Sequence, residues 1–190
     1  EIMSNPLAIP KALDFSNYAS ALKTLNIGTL YFNTLTVAAI TLAIEIPITF
    51  ASAFALTRLH FRRGRLRSAL YTFLLIGLAV SPFILLFPIY RINHFFGISE
   101  RMALVMPYIA TSVSFNTLLF VNYLRTVPRE IDEACVIDGA SLPQMMLRII
   151  APIARPVLAT VIIFNFLYIW NEYPFASIML NKAANYTLSR

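Results

Sequence analysis

The sequence holds one cysteine, Cys135, so no disulfide forms within the chain and a disulfide-stapled secreted scaffold is excluded. Acidic residues are scarce, nine against fifteen Lys and Arg, and charged residues of both signs make up only 13% of the chain, about half the share usual in soluble domains. The five glycines stand far apart, at positions 28, 64, 77, 97 and 139, and none falls in the G-x-x-x-x-G-K-[ST] pattern that cradles nucleotide phosphates. His60, His94 and Cys135 lie in separate segments, which excludes a local cluster at zinc-ligand spacing, and no Ser, His and Asp set marks a nucleophile. These absences argue against catalysis by the chain itself. What is abundant is apolar: 58% of the 190 residues are hydrophobic and the mean hydropathy is +0.71, which points to a membrane protein.

A helix needs about 20 apolar residues to cross the hydrocarbon layer. Two uncharged runs meet that length without interruption, 68–90 and 102–124, while 31–56 carries Glu45 near its middle and 156–180 carries Glu172. The expected fold is all-α, a polytopic bundle of four transmembrane helices, with kinks predicted at Gly77, Pro82, Pro88 and Pro107.

Positive charge is unevenly distributed between the runs. Arg58, Arg62, Arg63, Arg65 and Arg67 crowd the first connection, and Arg125, Arg129, Arg148 and Arg155 the third; the other segments hold two basic residues each. Lys and Arg near a helix end resist translocation, so the two arginine-rich loops are expected on the cytoplasmic side and both ends of the chain outside. The net charge of +6 is then a matter of membrane topology, and no nucleic-acid partner is implied. Residues 1–30, with Pro6, Pro10 and a weak helical pattern over 14–25, are expected to form an extracytoplasmic segment. An outside start with no apolar run before it also leads us to expect a further helix ahead of residue 1.

The connection 125–155 is the most informative stretch. Pro128 suits the first turn of a short helix, with Glu130, Asp132 and Glu133 at the positive end of its dipole. Gly139 permits a turn that a side chain would strain. Ser141 followed by Gln144 fits a capping box that opens a second helix, and Pro152 and Pro156 delimit it. A helix, glycine turn and helix on a cytoplasmic loop make a rigid knob suited to docking into another protein.

Within that knob Glu133-Ala-Cys135, Gly139 after three residues, Ile149 after nine more, and Pro152 resemble the EAA loop of bacterial ABC importer membrane subunits. Cys135 replaces the usual second alanine and Ala151 the usual leucine. The stretches Tyr31-Phe-Asn-Thr-Leu, Ala53-Phe-Ala-Leu-Thr-Arg-Leu-His-Phe, Trp170-Asn-Glu-Tyr-Pro and Asn185-Tyr-Thr-Leu are similar to the carbohydrate-uptake, maltose-permease-like branch of that family. The resemblance implies a type I permease core of six helices, of which these four are the second to fifth, in the cytoplasmic membrane of a bacterium or archaeon. It implies that Glu133, Ala134, Asp138, Gly139 and Pro152 form the element coupling the bundle to two cytoplasmic ATP-binding subunits. A second membrane permease subunit and an extracytoplasmic solute-binding protein are the other implied partners, and residues 181–189 match a loop that in the maltose system reaches into the binding protein.

Two polar strips bear on a translocation path. Thr34, Thr41, Glu45, Thr49 and Ser52 fall within about 80° on one face of the first helix, a face that must avoid lipid. An ionised carboxylate at mid-depth costs roughly 2.5–3.5 kcal/mol on the gentler insertion scale, and no span offers a Lys or Arg to pair with Glu45. Glu45 therefore either lies on the path or makes a structural hydrogen bond to a neighbouring helix. On the fourth helix Asn165, Tyr168 and Glu172 follow at helical spacing beside Trp170 and Asn171, a set apt for binding sugar hydroxyls; Trp170 and Tyr173 serve equally well as membrane-interface anchors. Two rival functions follow from the same residues: a proton-coupled secondary transporter that uses Glu45 and Glu172 as carriers, and a membrane scaffold or sensor.

Overall fold

The computed structural model describes residues 26–98 and 100–190; the helical pattern over 14–25 and most of the expected outer segment lie outside the described residues. Helix α1 runs Ile27–Arg58, α2 Gly64–Ala79, α3 Pro82–Phe95 and α4 Met102–Leu124. The short α5, Glu130–Ile137, is followed by α6, Leu142–Ile153, whose middle at Met145–Ile150 is wound as a π-helix. Then come α7, Arg155–Asn171, α8, Pro174–Met179, and a 3-10 turn at Ala183–Asn185. Residues 27–30 thus belong to α1 and not to the preceding segment.

Among the described residues, α1 and α4 are the two single helices long and apolar enough to span a membrane. The expected continuous helix 68–90 is instead two, α2 and α3, bent by 100° at Val80 and Ser81. The cause is local: Pro82 has no N–H to continue the ladder and disfavours helical backbone in the residue before it, and Ser81 is extended, with ψ 132°. The run 156–180 is likewise interrupted, since Glu172 is extended and α8 starts afresh at Pro174. At its other end α7 meets α6 at 78°, with Ala154 at the corner and Pro156 in the first turn of α7. Tyr123 of α4 donates a hydrogen bond from its hydroxyl to the Ile153 carbonyl at this corner, 3.0 Å, using an acceptor that the bend frees from the ladder.

α1 and α4 pack along their lengths, with α7 against both. Two apolar clusters hold them. Near the α5–α6 end, Phe50, Phe54, Phe120, Leu124, Cys135 and Ile150 interlock, with the Phe50 and Phe120 rings edge to face at 5.4 Å. At the far end Val37, Leu104, Tyr108, Ile169, Phe175 and Leu180 do the same. Between them lies a polar layer of Thr41, Glu45 and Thr49 from α1, Asn116 and Thr117 from α4, and Asn165 from α7, all buried. Helices in lipid associate by close packing of small residues more than by the hydrophobic effect, and α2 follows that rule. Its contact with α4 lies at Gly77, where a Cβ would stand 2.2 Å from the Ser114 hydroxyl. The rest of α2 has no buried residue.

Candidate functional site

The α5–α6 unit caps the end of the bundle where α1 and α4 finish. Glu130, Asp132 and Glu133 occupy the first turn of α5 as its dipole favours, and Pro128 stands just ahead of that turn, outside it. Gly139 has φ +74°, a region that L side chains enter at a cost of about 1–2 kcal/mol. The Gly139 N–H bonds to the Val136 carbonyl at 3.1 Å and the Ala140 N–H to the Cys135 carbonyl at 2.9 Å, the paired bonds of a Schellman end. Gln144 then accepts from the Ser141 N–H at 2.9 Å, which fixes the start of α6. Glu133, Ala134, Asp138, Gly139 and Pro152 are all exposed on this unit. Beside them Val136 and Ile137 are 66% and 85% exposed, and a groove of about 430 Å³ between α5 and α6 is lined by Glu133, Val136, Ile137, Leu142 and Met145.

One residue joins this unit to the membrane helices. Arg58, the last residue of α1, donates to Asp132 of α5 at 2.8 Å, to the Leu124 carbonyl at 3.2 Å and to the Val127 carbonyl at 3.0 Å. Its side chain is 4% exposed. The guanidinium fork thereby closes the C-terminus of α4 and pins α5 in a single bidentate-capable group. In the sequence Arg58 stands among the topology charges and Asp132 among the dipole charges of α5, and nothing in either neighbourhood announces a partner 74 residues away.

Glu45 is wholly enclosed, at 0% exposure. One oxygen, Oε1, accepts from Ser112 Oγ and from Asn116 Nδ2, each at 2.5 Å. Of the two roles left open for Glu45, the geometry displays the hydrogen bond to a neighbouring helix. Ser112 and Asn116 are one helical turn apart on α4, a spacing readable in the sequence but passed over. Thr34, Thr41 and Thr49 share the buried face and Ser52 is half-buried.

Beside the α2–α3 bend a continuous cleft follows α7. One lobe, about 250 Å³, is lined by Pro82, Thr111, Ser112, Phe115, Asn165 and Tyr168; the next, also about 250 Å³, by Pro82, Phe83, Tyr168, Asn171, Glu172 and Pro174. Tyr168, whose hydroxyl lies 3.3 Å from that of Thr111, is common to both lobes. Asn171 is exposed, and its amide donates to the Leu167 carbonyl at 2.8 Å; Asn165 is buried and bonded to Val161 of its own helix at 3.0 Å. Glu172 is occupied structurally. It accepts from the Phe175 N–H at 2.7 Å, capping α8, and from the Tyr108 hydroxyl at 3.0 Å. The four residues therefore share one face, with Tyr168 and Asn171 the most available to a solute.

The final segment folds back across the far end of the bundle. The Asn33 amide donates to the carbonyls of Ala184 and Tyr186, both at 2.9 Å, while Thr34 Oγ1 accepts from the Leu188 N–H at 2.9 Å and Arg101 donates to Asn33 Oδ1 at 2.9 Å. Two of the stretches that carried the family resemblance, around Asn33 and around Tyr186, are thus halves of one contact.

A family model described as the binding-protein-dependent transport system inner membrane component matches residues 45–190. The chain is 32% identical over 174 residues to the diacetylchitobiose uptake system permease protein NgcG of Streptomyces coelicolor, which covers 91% of the chain and 57% of that protein. It is 26% identical over 189 residues to the melibiose/raffinose/stachyose import permease protein MelC of Bacillus subtilis, covering 98% of the chain and 67% of MelC. The chain therefore spans between about half and two thirds of these relatives. A solved bacterial ABC transporter involved in the import of the acidic polysaccharide alginate shares the fold, with a TM-score of 0.76 over 93% of this chain and 61% of that one, at 24% identity. These matches do not favour the proton-coupled reading of Glu45 and Glu172, whose carboxylates are in any case taken up inside the fold. With the EAA-like spacing, the all-helical bundle and the family match in agreement, the chain belongs to the inner membrane components of binding-protein-dependent transport systems.

Proposed function

We propose that this chain is a permease subunit of an ABC importer that moves a carbohydrate or a related polar solute across the cytoplasmic membrane by alternating access. Hydrolysis of ATP takes place on separate subunits, and the chain is not an enzyme. The α5–α6 unit lies on the cytoplasmic side, where it docks into one of two ATP-binding subunits, and a second permease subunit engages the other. The observation that carries this reading is the exposure of Glu133, Ala134, Val136, Ile137 and Gly139 on a knob that Arg58 ties rigidly to α1 and α4. Exposed apolar side chains beside a groove, on a loop otherwise rich in charge, are what a partner protein covers.

The cleft along α7 supports a pathway role for Tyr168 and Asn171, with Asn165 and Glu172 shaping its wall and the second permease closing the open side. Aromatic faces and amides are the groups that bind sugar rings and hydroxyls. Glu45 stands outside the path, as a pin between α1 and α4. The likeness to NgcG and MelC supports an oligosaccharide as the solute class, delivered by an extracytoplasmic binding protein to the end where residues 181–190 fold over.

Substituting Gly139→Val in the assembled transporter tests the coupling role. A β-branched residue at φ +74° distorts the turn, so binding-protein-stimulated ATPase and uptake fall at least tenfold while the chain still inserts and pairs. Wild-type uptake by Gly139→Val and by Glu133→Ala refutes it.

A further inference from the structure

The arginine-rich connection between α1 and α2 builds a site that the transport reading does not use. Between Glu45 and Glu100 the sequence contains no acid, yet it holds Arg58, Arg62, Arg63, Arg65 and Arg67. Arg58 is consumed by Asp132; among the described residues the other ion pair is Glu100 with Lys182, so no carboxylate neutralises Arg62, Arg63, Arg65, Arg67 or Arg125. Two of these meet at a recess of about 250 Å³ lined by Leu56, Gly64, Arg67, Ser68, Tyr71 and Arg125. Arg125 lies over the Tyr71 ring, 4.9 Å from its centroid, a cation–π contact that holds the guanidinium beside the recess. The first turn of α2 opens onto the same recess, carries no acid and has no side-chain cap.

The geometry points to this recess as a binding site for the phosphate of an acidic phospholipid headgroup. Two guanidiniums, a serine hydroxyl and the first turn of α2 at Gly64 line the one recess and supply the kinds of donor that a phosphate diester accepts. What favours a lipid over a free phosphate is the surface leading away from the recess. Leu75 and Leu78, one and two turns beyond Tyr71 on the same face of α2, are 45% and 48% exposed, so an apolar track for acyl chains lies in line with the polar recess. Basic pockets at the cytoplasmic ends of membrane helices bind anionic headgroups by this combination. The inference requires the loop to lie at the membrane surface and does not depend on the solute carried, so a failed transport assay leaves it standing.

The test uses the whole purified transporter, with the wild type and the double variant R67Q/R125Q compared by native mass spectrometry and by titration with phosphatidylglycerol in phosphatidylcholine nanodiscs. Arg67 and Arg125 would each give the phosphate a charge-assisted hydrogen bond beyond general surface attraction, so the double variant should bind phosphatidylglycerol roughly 100-fold more weakly. R62Q/R63Q, outside the recess, should lose much less, and millimolar inorganic phosphate should not displace the lipid. Should R67Q/R125Q fail to assemble, R67K/R125K keeps the charge but loses the planar fork, and a several-fold loss is expected. Equal lipid retention by the wild type and either recess variant overturns the site. Displacement by inorganic phosphate alone overturns the lipid assignment in favour of a free anion. Loss of the ATP-binding subunits with lipid binding intact overturns it in favour of a protein contact.

Discussion

Removing Arg58 should uncouple the α5–α6 unit from the membrane helices without dissolving the bundle. The guanidinium makes three charge-assisted contacts, to Asp132, Leu124 and Val127, and is 4% exposed while Asp132 is 20% exposed. A hydrogen bond to a charged group contributes about 1.5–3 kcal/mol, and stripping one partner from a buried pair costs about 3–5 kcal/mol. Asp132 is partly exposed, but its Oδ1 is buried without a partner, so Arg58→Ala costs at least about 3 kcal/mol. A shift of that size reduces the docked fraction of α5 by roughly two orders of magnitude relative to its undocked state. Arg58→Gln recovers one carbonyl contact and should fall between. The assay is a double-mutant cycle on thermal unfolding of the purified complex, with Asp132→Asn as the second arm and ATPase activity and uptake measured in parallel. Stimulated ATPase should persist in Arg58→Ala while uptake per ATP falls. A coupling energy between Arg58 and Asp132 below about 0.5 kcal/mol, or an unchanged ratio of uptake to hydrolysis, refutes the reasoning.

Three further outcomes follow from the contacts. Gly77→Val should separate α2 from α4, because even a Cβ there stands 2.2 Å from Ser114 Oγ; overpacking costs about 1–3 kcal/mol, and Ser114→Ala should recover part of the lost melting temperature. Glu45→Gln keeps an acceptor for Ser112 and Asn116 and should leave uptake near normal, whereas Glu45→Leu strands the Asn116 amide at about 1–3 kcal/mol while Ser112 keeps the Tyr108 carbonyl; loss of uptake in a stably folded Glu45→Gln would return Glu45 to the solute path. At the far end the hydrogen bond from Lys182 holds the Glu100 carboxyl below its ordinary range and that same bond raises Lys182. A depressed carboxyl contributes above its unfolded pKa and loses that contribution as pH falls through the folded one; a raised amine contributes below its unfolded pKa and loses it as pH rises through the folded one. Protease access to residues 96–101 should therefore be flat from about pH 5 to 10 and increase outside that window, and Lys182→Met should abolish the pH dependence.

The parts of this molecule that were readable from residues alone are those in which one residue type dictates its own geometry. Gly139 announced a turn because its φ is closed to other residues, and α1 and α4 announced themselves because uninterrupted apolar length has few alternatives. The second span bends by 100°, far beyond the kink expected at Pro82, and the fourth also breaks, because hydropathy is additive along a chain while a bend is not: 68–79 and 82–90 are both apolar, and their composition does not distinguish a break from a gentle kink. Pairings were hidden for a different reason. Whether Glu45 faces Ser112 or open space depends on the rotation of α4 about its axis, and Asn33 is bound to the carbonyls of Ala184 and Tyr186, backbone groups that no side chain advertises.

The two kinds of feature divide the labour of an importer subunit. The polar layer of Glu45, Asn116 and Thr49 makes α1 and α4 move as one body, since sliding them strands buried donors and acceptors that lipid cannot satisfy. The bends at Ser81, Ala154 and Glu172 lie outside that body, where proline has already removed the ladder bonds that would resist rotation. Arg58 places the α5–α6 knob on the rigid side of this division. In the proposed importer a displacement of the knob by a closing ATPase pair would then be delivered to α1 and α4 together and absorbed at the three corners, two of which, at Ser81 and Glu172, border the cleft along α7 through Pro82 and Pro174.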